Sequence, residues 1–182
     1  MTIDHIKYVC LAQAAADPKA DPVSSLIKVL QSKDPVAREE AAKKIGESGL
    51  KDKRFVEPLI QAVSDDKILV REAAVDAVGS LGIKDKRFIE PLIERLSDPF
   101  YAVRGKAARA IGRLGIKDQR LSKMLIIALC DVDPFVRWRS AEALGRVGDK
   151  FDIPFLRYVA EKEGEDPKVR SAAQKAVQLL KK

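Results

Sequence analysis

The sequence predicts an all-α protein: one elongated solenoid of about five helical hairpins, preceded by an N-terminal capping helix. Three observations predict it. Arg38, Arg71, Arg104, Arg137 and Arg170 recur at a spacing of 33 residues. Gly46, Gly79, Gly112 and Gly145 keep the same step, as do Gly49, Gly82, Gly115 and Gly148. Within each period, apolar residues recur at helical rather than strand spacing. A fixed period of this length means stacked supersecondary units that bury surface only against their neighbours.

Each unit contains two helices. The first follows an Asp/Pro turn, as in DPVAREEAAKKIGES and DPFVRWRSAEALGRVG. Asp is a favoured N-cap, and Pro suits the first helical turn, where a missing N–H costs little. Ala41, Ala74, Ala107, Ser140 and Ala173 allow close packing, and Ile45, Val78, Ile111, Leu144 and Val177 lie four residues on, on the same face. Gly49, Gly82, Gly115 and Gly148 stand where a left-handed glycine ends a helix. The second helix is FVEPLIQAVS, FIEPLIERLS, LSKMLIIALC and, displaced, FDIPFLRYVA. Phe55, Phe88, Leu121 and Phe151 open it at one shared position and are expected in the core. The fourth unit departs from the pattern, its turn from Gly148 to Pro154 being three residues shorter than that from Gly82 to Pro91. The expected division is a single domain over 1–182: a cap at 1–20, then repeats at 21–49, 50–82, 83–115, 116–148 and 149–182.

Composition narrows the chemistry. The chain has 182 residues, 34 Lys plus Arg against 27 Asp plus Glu, and a formal charge of +7. Residues 1–97 balance to zero, so the whole excess lies in residues 98–182. The single histidine, His5, cannot by itself build a metal site or a general acid–base pair. No GxGxxG, P-loop, HExxH or GxSxG string occurs. The expectation is no enzyme, no cofactor and no metal. No apolar run approaches the ~20 residues of a membrane span, and the N-terminus does not read as a secretory signal. Cys10 and Cys130 lie far apart and outside any CxxC pair. They are expected as small buried apolar residues in a reduced, cytoplasmic setting.

The unit DPxxVRxxAAxALGxxG, a turn, then PLIxxL resembles HEAT repeats of the phycobilisome-lyase-like class, from about Asp21 to Leu180. The resemblance implies a right-handed solenoid with VR helices on the concave face and PLI helices on the convex back. It implies that the periodic arginines and aspartates link successive units rather than bind a ligand. The hydroxylases of this class need repeated His-Glu pairs, and none occurs here. Bilin lyases and chaperones of the class stay open.

In artificial libraries of this class, the varied groove positions lie three and two before the arginine and one, two, five and nine after it. Carried over, they place acids in the groove of the first two units and arginines with aromatics in the next two. The candidate partner-binding residues are Tyr101, Lys106, Arg109, Arg113, Phe135, Trp138, Arg139, Glu142 and Arg146. Trp, Tyr and Arg dominate interface hot spots, because rigid rings remove much area from water at small entropic cost. The expected partner is an acidic protein segment. A nucleic acid on the basic C-terminal half is an alternative. The turns GLKDKRF, GIKDKRF and GIKDQRL add a basic ladder, with Asp52, Asp85 and Asp118 as expected helix caps.

Overall fold

The computed structural model describes residues 21–182, so the expected N-terminal cap, His5 and Cys10 lie outside the described residues. Ten α-helices follow one another: α1 (Pro22–Leu30), α2 (Pro35–Ser48), α3 (Val56–Val63), α4 (Ile68–Leu81), α5 (Ile89–Arg95), α6 (Tyr101–Leu114), α7 (Gln119–Ala128), α8 (Pro134–Val147), α9 (Ile153–Glu161) and α10 (Pro167–Leu180). No strand occurs among the described residues. Short 3-10 turns over Lys53–Phe55, Lys86–Phe88 and Lys150–Asp152 lead into α3, α5 and α9.

The even-numbered helices pack side by side in one layer, while each odd-numbered helix packs chiefly on the even helix that follows it. Glycine sets the spacing of the even layer. A Cβ at Gly46, Gly79, Gly112 or Gly145 would lie 3.0 Å from the Cα of Ala77, Ala110, Ala143 or Ala176 in the next even helix. Backbones therefore touch where a side chain would hold them apart. The odd helices carry bulkier side chains and touch one another little, so the stack bends toward the tighter even layer. The core runs between the layers through Ile45, Leu59, Val78, Leu92, Ile111, Leu125, Leu144 and Leu156, each at most 1% exposed.

Four of the five periodic arginines are structural; the fifth, Arg170, is exposed and makes no such link among the described residues. Arg71 donates through Nη1 to the carbonyls of Asp65 and Asp66 (2.9 and 3.2 Å) and through Nε and Nη2 to Asp98 (2.8 and 3.2 Å). Arg38 repeats this with Asp65, Arg104 with Asp131, and Arg137 with Glu165. Each aspartate also accepts the amide two residues on, from Lys67, Phe100 or Asp133, and so shapes its own turn. One side chain thus closes a turn and ties it to the next hairpin. Burial pushes the Asp131 carboxyl up, but the Arg104 guanidinium and the Asp133 amide outweigh it and hold it below the usual range.

Three expectations need correction, and two share a cause. Gly49, Gly82 and Gly115 have φ of 66°, 62° and 61°, but Gly148 is extended at φ −73°. The fourth turn is tighter, and the second helix slips by two residues in burial rather than three: Leu156, not Phe155, takes the buried place of Leu59, Leu92 and Leu125. Asp152 then occupies the position of Phe55, Phe88 and Leu121. Phe151 is expelled and is 74% exposed, not core. Asp152 is held inside by the Asp149 amide (2.9 Å), and burial raises its carboxyl above the usual range. Separately, Cys130 is exposed at the end of α7, not buried.

Candidate functional site: the inner groove

The inner face of α6 and α8 carries the aromatic cluster. Tyr101 meets Phe135 edge-on (centroids 6.5 Å apart, 89°), and Phe135 meets Trp138 at 6.0 Å and 69°. Phe135 fits only because Gly105 lies beneath it: a Cβ there would stand 2.3 Å from the ring. Arg139 stacks on Trp138, its Cζ 3.7 Å from the ring centroid, and reaches Phe135 at 5.4 Å. It also donates to Glu142 at 2.8 Å. Lys168 lies 5.7 Å from the indole. Tyr101 is exposed, whereas Phe135 and Trp138 are half-buried. The rings cover the helix ridge and one another, yet leave part of the indole open.

That open part faces a groove of about 560 Å³ between α8 and α10. Its floor is Ala172 and Ala176, its apolar walls are Trp138 and Leu179, and Arg146, Lys168 and Lys175 stand at its rim with Glu142. Among the described residues, no ion pair engages those three cations; the nearby pairs belong to Arg139 and Lys162.

The expected cations of α6 behave differently. Lys106 is clasped by Glu72 (2.6 Å) and Asp76 (2.7 Å) of α4. Burial works against its charge, but the two carboxylates outweigh burial and lift it above the ordinary lysine range. Arg109 pairs with Asp76 as well, and Arg113 donates to the Ser80 hydroxyl at 3.2 Å. The acidic and basic halves of the groove therefore neutralise each other where they meet. Of the nine expected residues, Tyr101, Phe135, Trp138, Arg139, Glu142 and Arg146 gather around the cluster and the groove. Lys106, Arg109 and Arg113 line a separate, smaller recess. Lys168, Lys175 and Leu179 belong to the groove wall. The same register around Arg170 contains them, but the charge and aromatic count that singled out α6 and α8 did not reach α10.

The three arginines of the basic ladder are committed, whereas its lysines Lys51, Lys53, Lys84, Lys86 and Lys117 are exposed and enter no ion pair among the described residues. Arg54, Arg87 and Arg120 fold back on Asp52, Asp85 and Asp118 (2.7, 2.9 and 2.9 Å) and reach Asp21, Glu57 and Glu90 of the preceding unit. Arg87 and its own amide hold the Asp85 carboxyl down at about 2. The three aspartates accept the amides of Arg54, Arg87 and Arg120, as expected of caps. Among the described residues no cluster of three metal-ligating side chains occurs, and no helix is long and apolar enough to cross a membrane.

Two stacked layers of helices, tied by a repeated Arg–Asp link and leaving one face as a groove, define an α-solenoid repeat protein. The profile of HEAT repeats matches residues 23–90 and 89–178, and the chain belongs to that family. Among solved structures it is similar to the complex of CpcE and CpcF of phycocyanin lyase from Nostoc sp. PCC7120, at 27% identity. That match covers 91% of this chain and 66% of the other, with a TM-score of 0.74. A designed armadillo repeat protein in complex with the peptide (KR)4 matches at 18% identity, 93% and 86% coverage and a TM-score of 0.71. The archaeal HEAT-like repeats protein from Thermococcus onnurineus NA1 matches at 15% identity, 94% and 74% coverage and a TM-score of 0.61. The comparison with curated proteins gives no match.

Proposed function

We propose that this protein is a non-enzymatic interaction module whose inner groove, between α8 and α10, holds an acidic segment of a protein partner. The observation that carries the reading is the groove itself: a partly open indole beside Leu179, ringed by Arg146, Lys168 and Lys175, none of them in an ion pair among the described residues, while the rim's Glu142 is held by Arg139. An apolar side chain of the partner would enter between Trp138 and Leu179 while its carboxylates meet the rim. Tyr101, Phe135 and Arg139 extend and support that wall. A designed armadillo protein of similar fold is in complex with the peptide (KR)4; here the groove rim is basic, so the expected ligand is acidic. The paired state of Lys106 and Arg109 removes them from the anchors and narrows the site to α8–α10. The three ladder arginines are likewise spent on fold contacts, which leaves only lysines on that edge.

Trp138 is the single tryptophan in the chain, so its emission reports on the groove directly. Titration with an octaglutamate peptide carrying a central leucine should shift that emission saturably, and (KR)4 should not. Arg146→Ala with Lys175→Ala should weaken the effect at least tenfold. For a partner captured from the native source, Trp138→Ala should cost about 2 kcal/mol or more of binding. Unchanged binding by the double variant Trp138→Ala, Arg139→Ala would remove this assignment. A complex with single-stranded DNA that tightens steeply as salt falls would favour the nucleic-acid reading instead.

A further inference from the structure

The outer layer changes character at its C-terminal end. In register with the slipped α9, the positions of Phe151, Phe155 and Tyr158 hold Arg54, Pro58 and Gln61 in α3 and its preceding turn, and Arg87, Pro91 and Glu94 around α5. In α9 and the 3-10 turn before it all three are aromatic, spaced i, i+4, i+7 along one side. They are 74%, 49% and 67% exposed, and Ile127, in the Tyr158 register on α7, is 64% exposed. The slip that buries Asp152 is what turns Phe151 outward. A contiguous apolar face of this kind on a water-facing surface marks a contact site.

We propose that the α9 face pairs with the α9 face of a second copy of this chain, forming an antiparallel two-fold dimer through the convex side. Two features select a second copy. The first is charge placement. Exposed Lys150 stands at one end of the stripe and exposed Glu161 at the other, roughly 16 Å apart along the helix at 1.5 Å per residue. A two-fold axis through Phe155 sets Lys150 of each copy against Glu161 of the other and brings the exposed Arg157 of the two copies near the axis, so the end charges are complementary, as an isologous interface requires. The second is area. At about 200 Å² per aromatic side chain, the three rings expose roughly 380 Å². Doubled, and with Ile127 and the stems around them, this approaches the ~1,000 Å² that a specific but weak contact needs. The dimer would leave both inner grooves free, pointing away from each other.

Sedimentation velocity from about 5 to 200 µM at moderate salt tests the pairing. The wild type should shift from monomer toward dimer across that range. Phe155→Glu should remove the dimer while leaving the fold cooperative, because the ring lies outside the buried core. Lys150→Glu should weaken the dimer several-fold, and adding Glu161→Lys should restore it. A wild type that stays monomeric at 200 µM overturns the proposal. So does a dimer that Phe155→Glu leaves intact, or one that the charge exchange fails to rescue. Trp138 emission titrations with Phe155→Glu should be unchanged, which separates this face from the groove.

Discussion

Arg71 shows why a charged side chain repeats more faithfully than most core residues. It lies 8% exposed, its carboxylate partner Asp98 is 4% exposed, and both are fully engaged by turn carbonyls, an amide and each other. Such a pair gives little net stability over a well-packed apolar substitute, but removing one member strands the other in the interior. Arg71→Ala should therefore cost about 3–5 kcal/mol in chemical denaturation. Asp98→Ala in the same background should then cost far less than it does alone. A single Arg71→Ala loss below about 1 kcal/mol would show that the link is ornamental. Ser140 is the converse case. It replaces the alanine of the other units, is completely buried, and its hydroxyl finds no partner among the described residues.

At the scale of the element, the glycines of the even helices decide how closely units stack. In a helix, alanine would be favoured over glycine by about 1 kcal/mol. Gly79 forgoes that gain because the Cα and Cβ of Ala110 lie 3.0 and 3.2 Å from where its Cβ would be. Gly79→Val should thus lower stability by about 1–3 kcal/mol, as overpacking does, measured by urea unfolding. An increase in stability would mean that the even layer can spread without loss. The slip of α9 belongs to the same scale. Its signal was present in the sequence as a shortened turn, but counting residues gave three where burial shows two. Asp149 and Asp152 form a reciprocal cap that fixes the start of α9, and a spacing count does not weigh a cap against an aromatic ring.

Across the whole molecule, the links at Asp131 and Glu165 make stability depend on pH. For both, burial pushes the carboxyl up, but Arg104 and Arg137 with nearby amides outweigh it, so the folded-state value lies below the ordinary one. A lowered carboxylate contributes stability that is present above its unfolded value, about 4, and lost as pH falls through the folded value. Thermal unfolding should change little between pH 7 and 5 and fall steeply below about pH 4. Asp131→Asn should start less stable at pH 7 and show a shallower fall. An equal acid slope in the variant would place the dependence elsewhere. Asp131 and Glu165 tie successive junctions at the C-terminal end of the stack, so loss of their charge loosens both together.

The sequence by itself determined the period and the helices, because both are written in local spacing that one unit contains whole; the arginine links and the groove positions came with the family resemblance. Only the tertiary structure decided which groove charges stay free. Lys106 and Glu72 stand in successive units and look equally available as a string, yet glycine-set helix spacing brings them to 2.6 Å and cancels both. It likewise decided that Phe151 faces water, since the rotation of α9 depends on what its cap and its neighbours can bury together. Reach between helices is a distance, and a periodic sequence repeats positions without stating the distances between them.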